Sequence, residues 1–87
     1  MLVRYFAAAR AATGIDEEHL DVGEGMTLGD LEGMLALRHP AAADGQSPLG
    51  QVLPRCSFLR NGIATNDRAR ALSPDDRVDV LPPFAGG

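Results

Sequence analysis

One run of helical period, set among short strand-like runs, constrains this fold more than any other feature. Leu28, Leu31, Met34 and Leu35 recur at i, i+3, i+6 and i+7, the apolar stripe of one amphipathic helix. Thr27 stands at the N-cap position with Asp30 three residues later, close to a capping box. Arg38 and His39 fall in the last turn, where cations suit the helix dipole, and Pro40 stops the helix. A helix with one apolar face has to bury it, and the flanking runs supply a sheet for it to lie across.

Leu2 to Phe6 reads as a strand, with Val3 and Tyr5 on one face and Leu2, Arg4 and Phe6 on the other. Ala7 to Gly14 is a connection with room for a helical turn that Gly14 ends. Glu17 to Val22 reads as a second strand, antiparallel to the first. After the helix, Pro48 to Leu53 suits a short helical turn closed by Pro54, and Cys56 to Asn61 a third strand. Asn61-Gly62 is the strongest hairpin signal in the chain, and Ile63 to Thr65 is the returning strand. Ser73-Pro74-Asp75-Asp76 is a turn with proline at its second position. Arg77 to Leu81 is the last strand, with Val78 and Val80 inward and Arg77, Asp79 and Leu81 outward. The order predicts an α+β domain: a mixed sheet of about five strands with one long helix across it, the first and last strands side by side in parallel.

Composition narrows the function. Eighty-seven residues make one small domain, and 45% hydrophobic with 23% charged is globular. A net charge of −4, with every base an arginine, argues against generic nucleic-acid or anionic-membrane binding and favours a basic partner surface. The N-terminus does not read as a signal peptide, because Arg4 and Arg10 interrupt it, and no run is long enough to span a membrane. A single cysteine, Cys56, excludes an internal disulfide and a cysteine zinc cluster, and fits a reducing cytoplasm.

Enzymatic constellations are missing. His19 and His39 have no second ligand at metal spacing and read as surface histidines. Cys56 reads as a small buried hydrophobe, and Asp16-Glu17-Glu18 as a solvated turn. Gly23, Gly25 and Gly29 have the wrong spacing for a dinucleotide fingerprint and read as a flexible turn, with a weak anion site at the helix N-terminus as the lesser alternative.

The last segment is the informative one: Leu81-Pro82-Pro83-Phe84-Ala85-Gly86-Gly87. Two prolines end strand pairing and stiffen the exit, and two glycines present no side chain. Fully extended, residues 82–87 reach about 20 Å, at ~3.3 Å per residue. A slim uncharged arm of this kind, ending in a free carboxylate, can thread into another protein's active site.

The chain resembles the molybdopterin synthase small subunits, a family of ubiquitin-like sulfur carriers. The resemblance spans its whole length. It rests on Val3-Arg4-Tyr5-Phe6-Ala7 with Arg10 after it, the Thr27-capped helix, Asn61-Gly62, Asp75-Asp76-Arg77-Val78 and, most specifically, the Pro-Pro-x-x-Gly-Gly ending. The family often has Gly-Asp where this chain has Asp75-Asp76, and a valine where it has Phe84. The resemblance implies a β-grasp domain over residues 1–81 and an extended tail over 82–87. It implies that the Gly87 carboxylate is the reactive group. A ubiquitin-activating-like adenylyltransferase would use ATP to make a glycyl adenylate, and a sulfur donor would convert this to a thiocarboxylate. The tail, through Pro82, Pro83, Phe84, Ala85 and Gly86, would then thread into the large catalytic subunit. Sulfur transfer there builds the dithiolene of the molybdenum cofactor. No bound cofactor and no metal are expected on this chain.

Alternation, read with the resemblance, places Phe6, Ile63 and Leu81 in one exposed apolar patch for both partners, with Arg10 at its rim. Other readings are a ubiquitin-like protein modifier, a thiamine sulfur carrier, or an interaction module with no tail chemistry.

Overall fold

The computed structural model describes residues 1–41 and 45–83. Its centre is two parallel strands from near the two ends of the sequence, β1 (Leu2–Tyr5) and β5 (Arg77–Leu81). Val3 lies opposite Val78 and Tyr5 opposite Val80. All four side chains are buried on the face that carries the helices. On the far side of β5, antiparallel β3 (Ser57–Arg60) sets Phe58 against Val80. The edges are β2 (Glu17–His19), antiparallel to β1, and β4 (Ile63–Thr65), antiparallel to β3. The sheet order is β2-β1-β5-β3-β4, the mixed five-stranded β-grasp arrangement.

The long helix, α2 (Leu28–Arg38), buries Leu28, Leu31 and Leu35 completely. Its capping box forms as the sequence predicts. Asp30 N–H donates to Thr27 Oγ1 at 3.1 Å, and Thr27 N–H donates back to Asp30 Oδ2 at 3.1 Å. Such a cap contributes about 1 kcal/mol. The anion site suggested at this terminus is closed. Leu28 N–H donates to the Arg70 carbonyl and Gly29 N–H to the Arg68 carbonyl, both at 2.9 Å. Gly29 permits that close approach, since a Cβ there would stand 3.2 Å from the Arg68 oxygen.

Two connections are more helical than the sequence suggests. Ala7–Thr13 forms a seven-residue helix, α1, with Ala9 and Ala12 in the core. Alanine has the highest helix propensity, and its small size lets α1 sit close against the sheet. Gly14 ends α1 in the left-handed region at φ 76°, its N–H on the Arg10 carbonyl at 2.8 Å. Leu49–Val52 forms α3, and a 3₁₀ turn over Leu53–Arg55 extends it past the proline expected to close it. Pro54 fits because the first turn of a helix has no hydrogen-bonded N–H to lose. The second strand stops at His19 rather than Val22, although Leu20 still enters the core.

The Asn61-Gly62 turn has both central residues at positive φ, 51° and 84°, as a two-residue hairpin of right-handed twist requires. In the Ser73–Asp76 turn, Asp76 N–H donates to the Ser73 carbonyl at 3.0 Å. Asp75 is not at positive φ, so this turn needs no glycine. Among the described residues no helix is long and apolar enough to cross a membrane.

Candidate functional site

β5 leads from the middle of the sheet into Pro82, which is buried, and Pro83, which is exposed. Phe84, Ala85, Gly86 and Gly87, the predicted threading segment and reactive group, lie outside the described residues.

The sheet face opposite the helices is built by register. Leu2 and Arg4 come from β1, Arg77, Asp79 and Leu81 from β5, Ser57 and Leu59 from β3, and Ala64 from β4. Phe6 continues the outward series of β1 in extended conformation (φ −128°, ψ 154°) and is 38% exposed. Phe6 and Leu81 meet, as the sequence predicts, in a groove of about 310 Å³ shared with Ala7, Arg55, Ser57, Pro82 and Pro83. Arg10 does not line that groove but a neighbouring hollow. It pairs with Asp16, and both line this shallow hollow with Arg4 and Phe6.

Ile63 does not join them. A two-residue hairpin loop makes Ile63 the partner of Arg60, which in turn faces Val78. Paired residues share a face, so Ile63 is on the helix side of the edge strand, 74% exposed. It lines a separate hollow with Arg60, Asn61, Thr65 and Arg70. The outward position on β4 belongs to Ala64, opposite Leu59. The signal was present: Asn-Gly fixes the turn length, and turn length fixes which neighbour points outward.

The sequence places Arg4, Arg77 and Asp79 on this face but does not foresee the ion pair that buries Asp79. Asp79 is only 3% exposed although it points away from the helices. Arg4 grips it with a planar fork, Nε to Oδ1 at 2.7 Å and Nη2 to Oδ2 at 2.9 Å, and Arg77 stands 4.0 Å off. These bonds push the Arg4 guanidinium above its already high pKa. Its carbon also lies 5.6 Å from the centre of the Phe6 ring. The face is thus apolar at the tail exit, with a neutralised ion pair at its centre. Ala7, at the groove wall, has φ 48°, a left-handed conformation that is strained for any residue with a Cβ.

Other candidates resolve as structural. Cys56 is 5% exposed, its thiol donates to the Val52 carbonyl at 3.3 Å, and burial with the nearby Glu32 charge pushes its pKa up to about 11. Glu18 and His39 correct the surface reading. Tyr5 O–H donates to Glu18 Oε2 at 2.6 Å, His39 Nε2 lies 2.6 Å from the same oxygen, and Arg38 Nε donates to Oε1 at 2.5 Å. Burial alone would raise the Glu18 pKa, but these hydrogen bonds outweigh it and hold the carboxyl below its usual range. The cluster ties the end of α2 to β1 and β2, on the helix side of the sheet. His19 remains exposed. Among the described residues no group of histidine, cysteine and carboxylates could hold a metal ion.

A family model described as the ThiS family matches residues 3–87. The chain is 32% identical over 87 residues to a protein of Chlamydomonas reinhardtii named molybdopterin synthase sulfur carrier subunit, covering 98% of this chain and 95% of that one. A human protein of the same name is 28% identical over 85 residues, covering 98% and 91%. Among solved structures, SAMP1 of Haloferax volcanii, a small archaeal modifier protein, superposes with a TM-score of 0.74 at 27% identity, covering 99% and 97%.

Proposed function

The chain belongs to the ThiS family, and we propose that within it this protein is the sulfur carrier subunit of a molybdopterin synthase. One observation carries the reading: the similarity to a sulfur carrier subunit covers 98% of the chain, and the family match runs to Gly87. The geometry agrees with it. An apolar groove at Phe6 and Leu81 lies directly against Pro82 and Pro83, where the proposed arm begins.

The chemistry belongs to the Gly87 carboxylate, which is a poor electrophile. An activating enzyme of the ubiquitin-activating type joins it to AMP from ATP, so that AMP becomes the leaving group. A sulfur donor displaces AMP and leaves a thiocarboxylate. The large synthase subunit then covers the outer sheet face, takes up residues 82–87, and passes the sulfur to the pterin precursor. Cys56 has no part in this. Its thiol is buried, and a thiol held neutral is neither a good nucleophile nor a leaving group.

The test is to incubate the chain with such an activating enzyme, ATP and a sulfur donor, and to weigh it intact. One oxygen-for-sulfur exchange at Gly87 is the expected product, followed by its loss when large subunit and precursor are added. Normal molybdopterin production by a chain lacking Gly87 would refute the reading.

The likeness to a small archaeal modifier protein favours a second reading, in which the same activated carboxyl is joined to amines of other proteins. Gly87-dependent adducts on other polypeptides in the source cell would distinguish it.

A further inference from the structure

The side-chain cations of this chain are all guanidinium: eight bases, no lysine. For most of them the structure supplies a reason. All except Arg55 and Arg70 pair with a carboxylate among the described residues. A planar fork does that better than an ammonium. Among the described residues Arg55 and Arg70 have no such partner. Both are exposed, Arg55 beside Pro82 and Pro83 at the tail exit and Arg70 beside Ile63. A lysine would serve as well at either position for charge and solubility, yet both are arginine.

The thiol and the terminal amine are each engaged within the fold, and the exposed His19 imidazole could form only a water-labile acyl-imidazole, not a stable amide. The Cys56 thiol is buried under α2 and bonded to the Val52 carbonyl. The Met1 amine donates to the Leu20 carbonyl at 2.8 Å, across the β1–β2 edge. Amines and thiols are the groups that capture an acyl adenylate. In that step the neutral amine nitrogen attacks the Gly87 carbonyl carbon and a C–N bond forms. The C–O bond to phosphate breaks, AMP leaves with the electron pair, and the amine's proton passes to solvent. A lysine, with a pKa of about 10.4, supplies some neutral amine at neutral pH, whereas a guanidinium stays protonated and delocalised.

We propose that the surface of this carrier is stripped of side-chain amines and accessible thiols so that its activated carboxyl is not captured as a stable adduct by a side chain of its own or of another copy. The carrier donates its acyl group and never accepts one. The sulfur donor is then the only efficient acceptor the adenylate meets. The proposal rests on the adenylation step above, and it also means that the chain cannot be extended through a side-chain amine into a polymer of itself.

The experiment uses the full chain with its activating enzyme and ATP, without a sulfur donor, read by intact mass and by ATP–pyrophosphate exchange. Hydroxylamine, a small external amine, is added to a parallel sample to show that the adenylate is reachable. The wild type should form the Gly87 hydroxamate with hydroxylamine and no covalent self-adduct without it. Arg55→Lys and Arg70→Lys, each checked by melting for an intact fold, should form an amide-linked ring or dimer, with loss of one water, at least tenfold above wild type. Self-adducts of the wild type would overturn the proposal. So would lysine variants that conjugate no more than wild type while the hydroxamate still forms. If pyrophosphate exchange does not depend on Gly87, the functional reading fails first and the proposal falls with it.

Discussion

Truncating Leu81 to alanine should separate docking from folding, and the register says by how much. Leu81 lies opposite Ser57 at the tail end of the outer face and lines the groove with Phe6 and Pro82. It is half-buried in the free chain, whereas its neighbour on the strand, Val80, is fully buried. Leucine to alanine removes roughly three methylene equivalents, at ~0.8 kcal/mol each when buried, about 2.4 kcal/mol in all. Part of that burial already exists without a partner, so about 1 kcal/mol should appear as lost stability and about 1.5 kcal/mol as lost binding. The latter is roughly tenfold in Kd. Ile63→Ala is the matched control. Its side chain is more exposed, but on the other face, so it should change binding less than about twofold.

Calorimetric titration of the large synthase subunit, with thermal melts of the same samples, reads both quantities. Ala64→Arg, on the outer face of the same edge strand as Ile63, should weaken binding where Ile63→Ala does not. The assignment of faces is refuted if Ile63→Ala costs as much binding as Leu81→Ala. It is also refuted if Leu81→Ala destabilises by the ~3 kcal/mol or more of a core truncation without a binding defect.

Three further outcomes follow from the same structure. Cys56→Ala should keep full sulfur transfer and lose about 1 kcal/mol of stability, measured by urea unfolding beside a thiocarboxylate mass assay. Ala7→Gly should relieve the φ 48° conformation and stabilise by about 1 kcal/mol, raising Tm by roughly 4–8 °C in a calorimetric scan. Glu18 and Asp76 both have depressed carboxyl pKa values in the folded chain, so the stability they contribute is complete above their unfolded values of 4.5 and 3.8 and is lost as pH falls through the lower folded values. Glu18→Gln should therefore cost roughly 2 kcal/mol at pH 7 and progressively less toward pH 3, and urea melts that show the same loss at both pH values would contradict the network.

What the sequence revealed and what it concealed divides by range of interaction. The Thr27–Asp30 box and the Asn61-Gly62 turn were legible because each is settled within a few residues, by groups that have one good local use. The core strands were legible because alternation reports which side is buried. The face of Ile63 was not read correctly, since alternation within a three-residue strand is uninformative until the turn fixes its partner. Asp79 was read as solvent-facing from its parity, and the parity was right. Its burial depends on Arg4, seventy-five positions away, folding across it. Glu18 was read as part of a polar turn because its partners, Tyr5, Arg38 and His39, come from two other elements. Local chemistry sets the frame. Polar groups that meet only across the sheet are where a single sequence runs out.

On the proposed function, the position of β5 would link docking to delivery. Its inward residues, Val78 and Val80, are core, and its outward ones, Asp79 and Leu81, belong to the proposed docking face. Hydrogen bonding to β1 on one side and β3 on the other fixes where the strand ends. The next residue, Pro82, is already part of the arm. A partner that seats on Leu81 and Phe6 therefore receives residues 82–87 at a defined origin and direction, and the search for the tail is replaced by a choice of depth. With an extended reach of about 20 Å, the reacting centre of any partner has to lie within that distance of its own docking surface. An edge strand would have done this less well, because pairing on only one side lets its end fray and the origin of the arm wander. Placing the last strand in the middle of the sheet makes the rigidity of the core serve the reach of the tail.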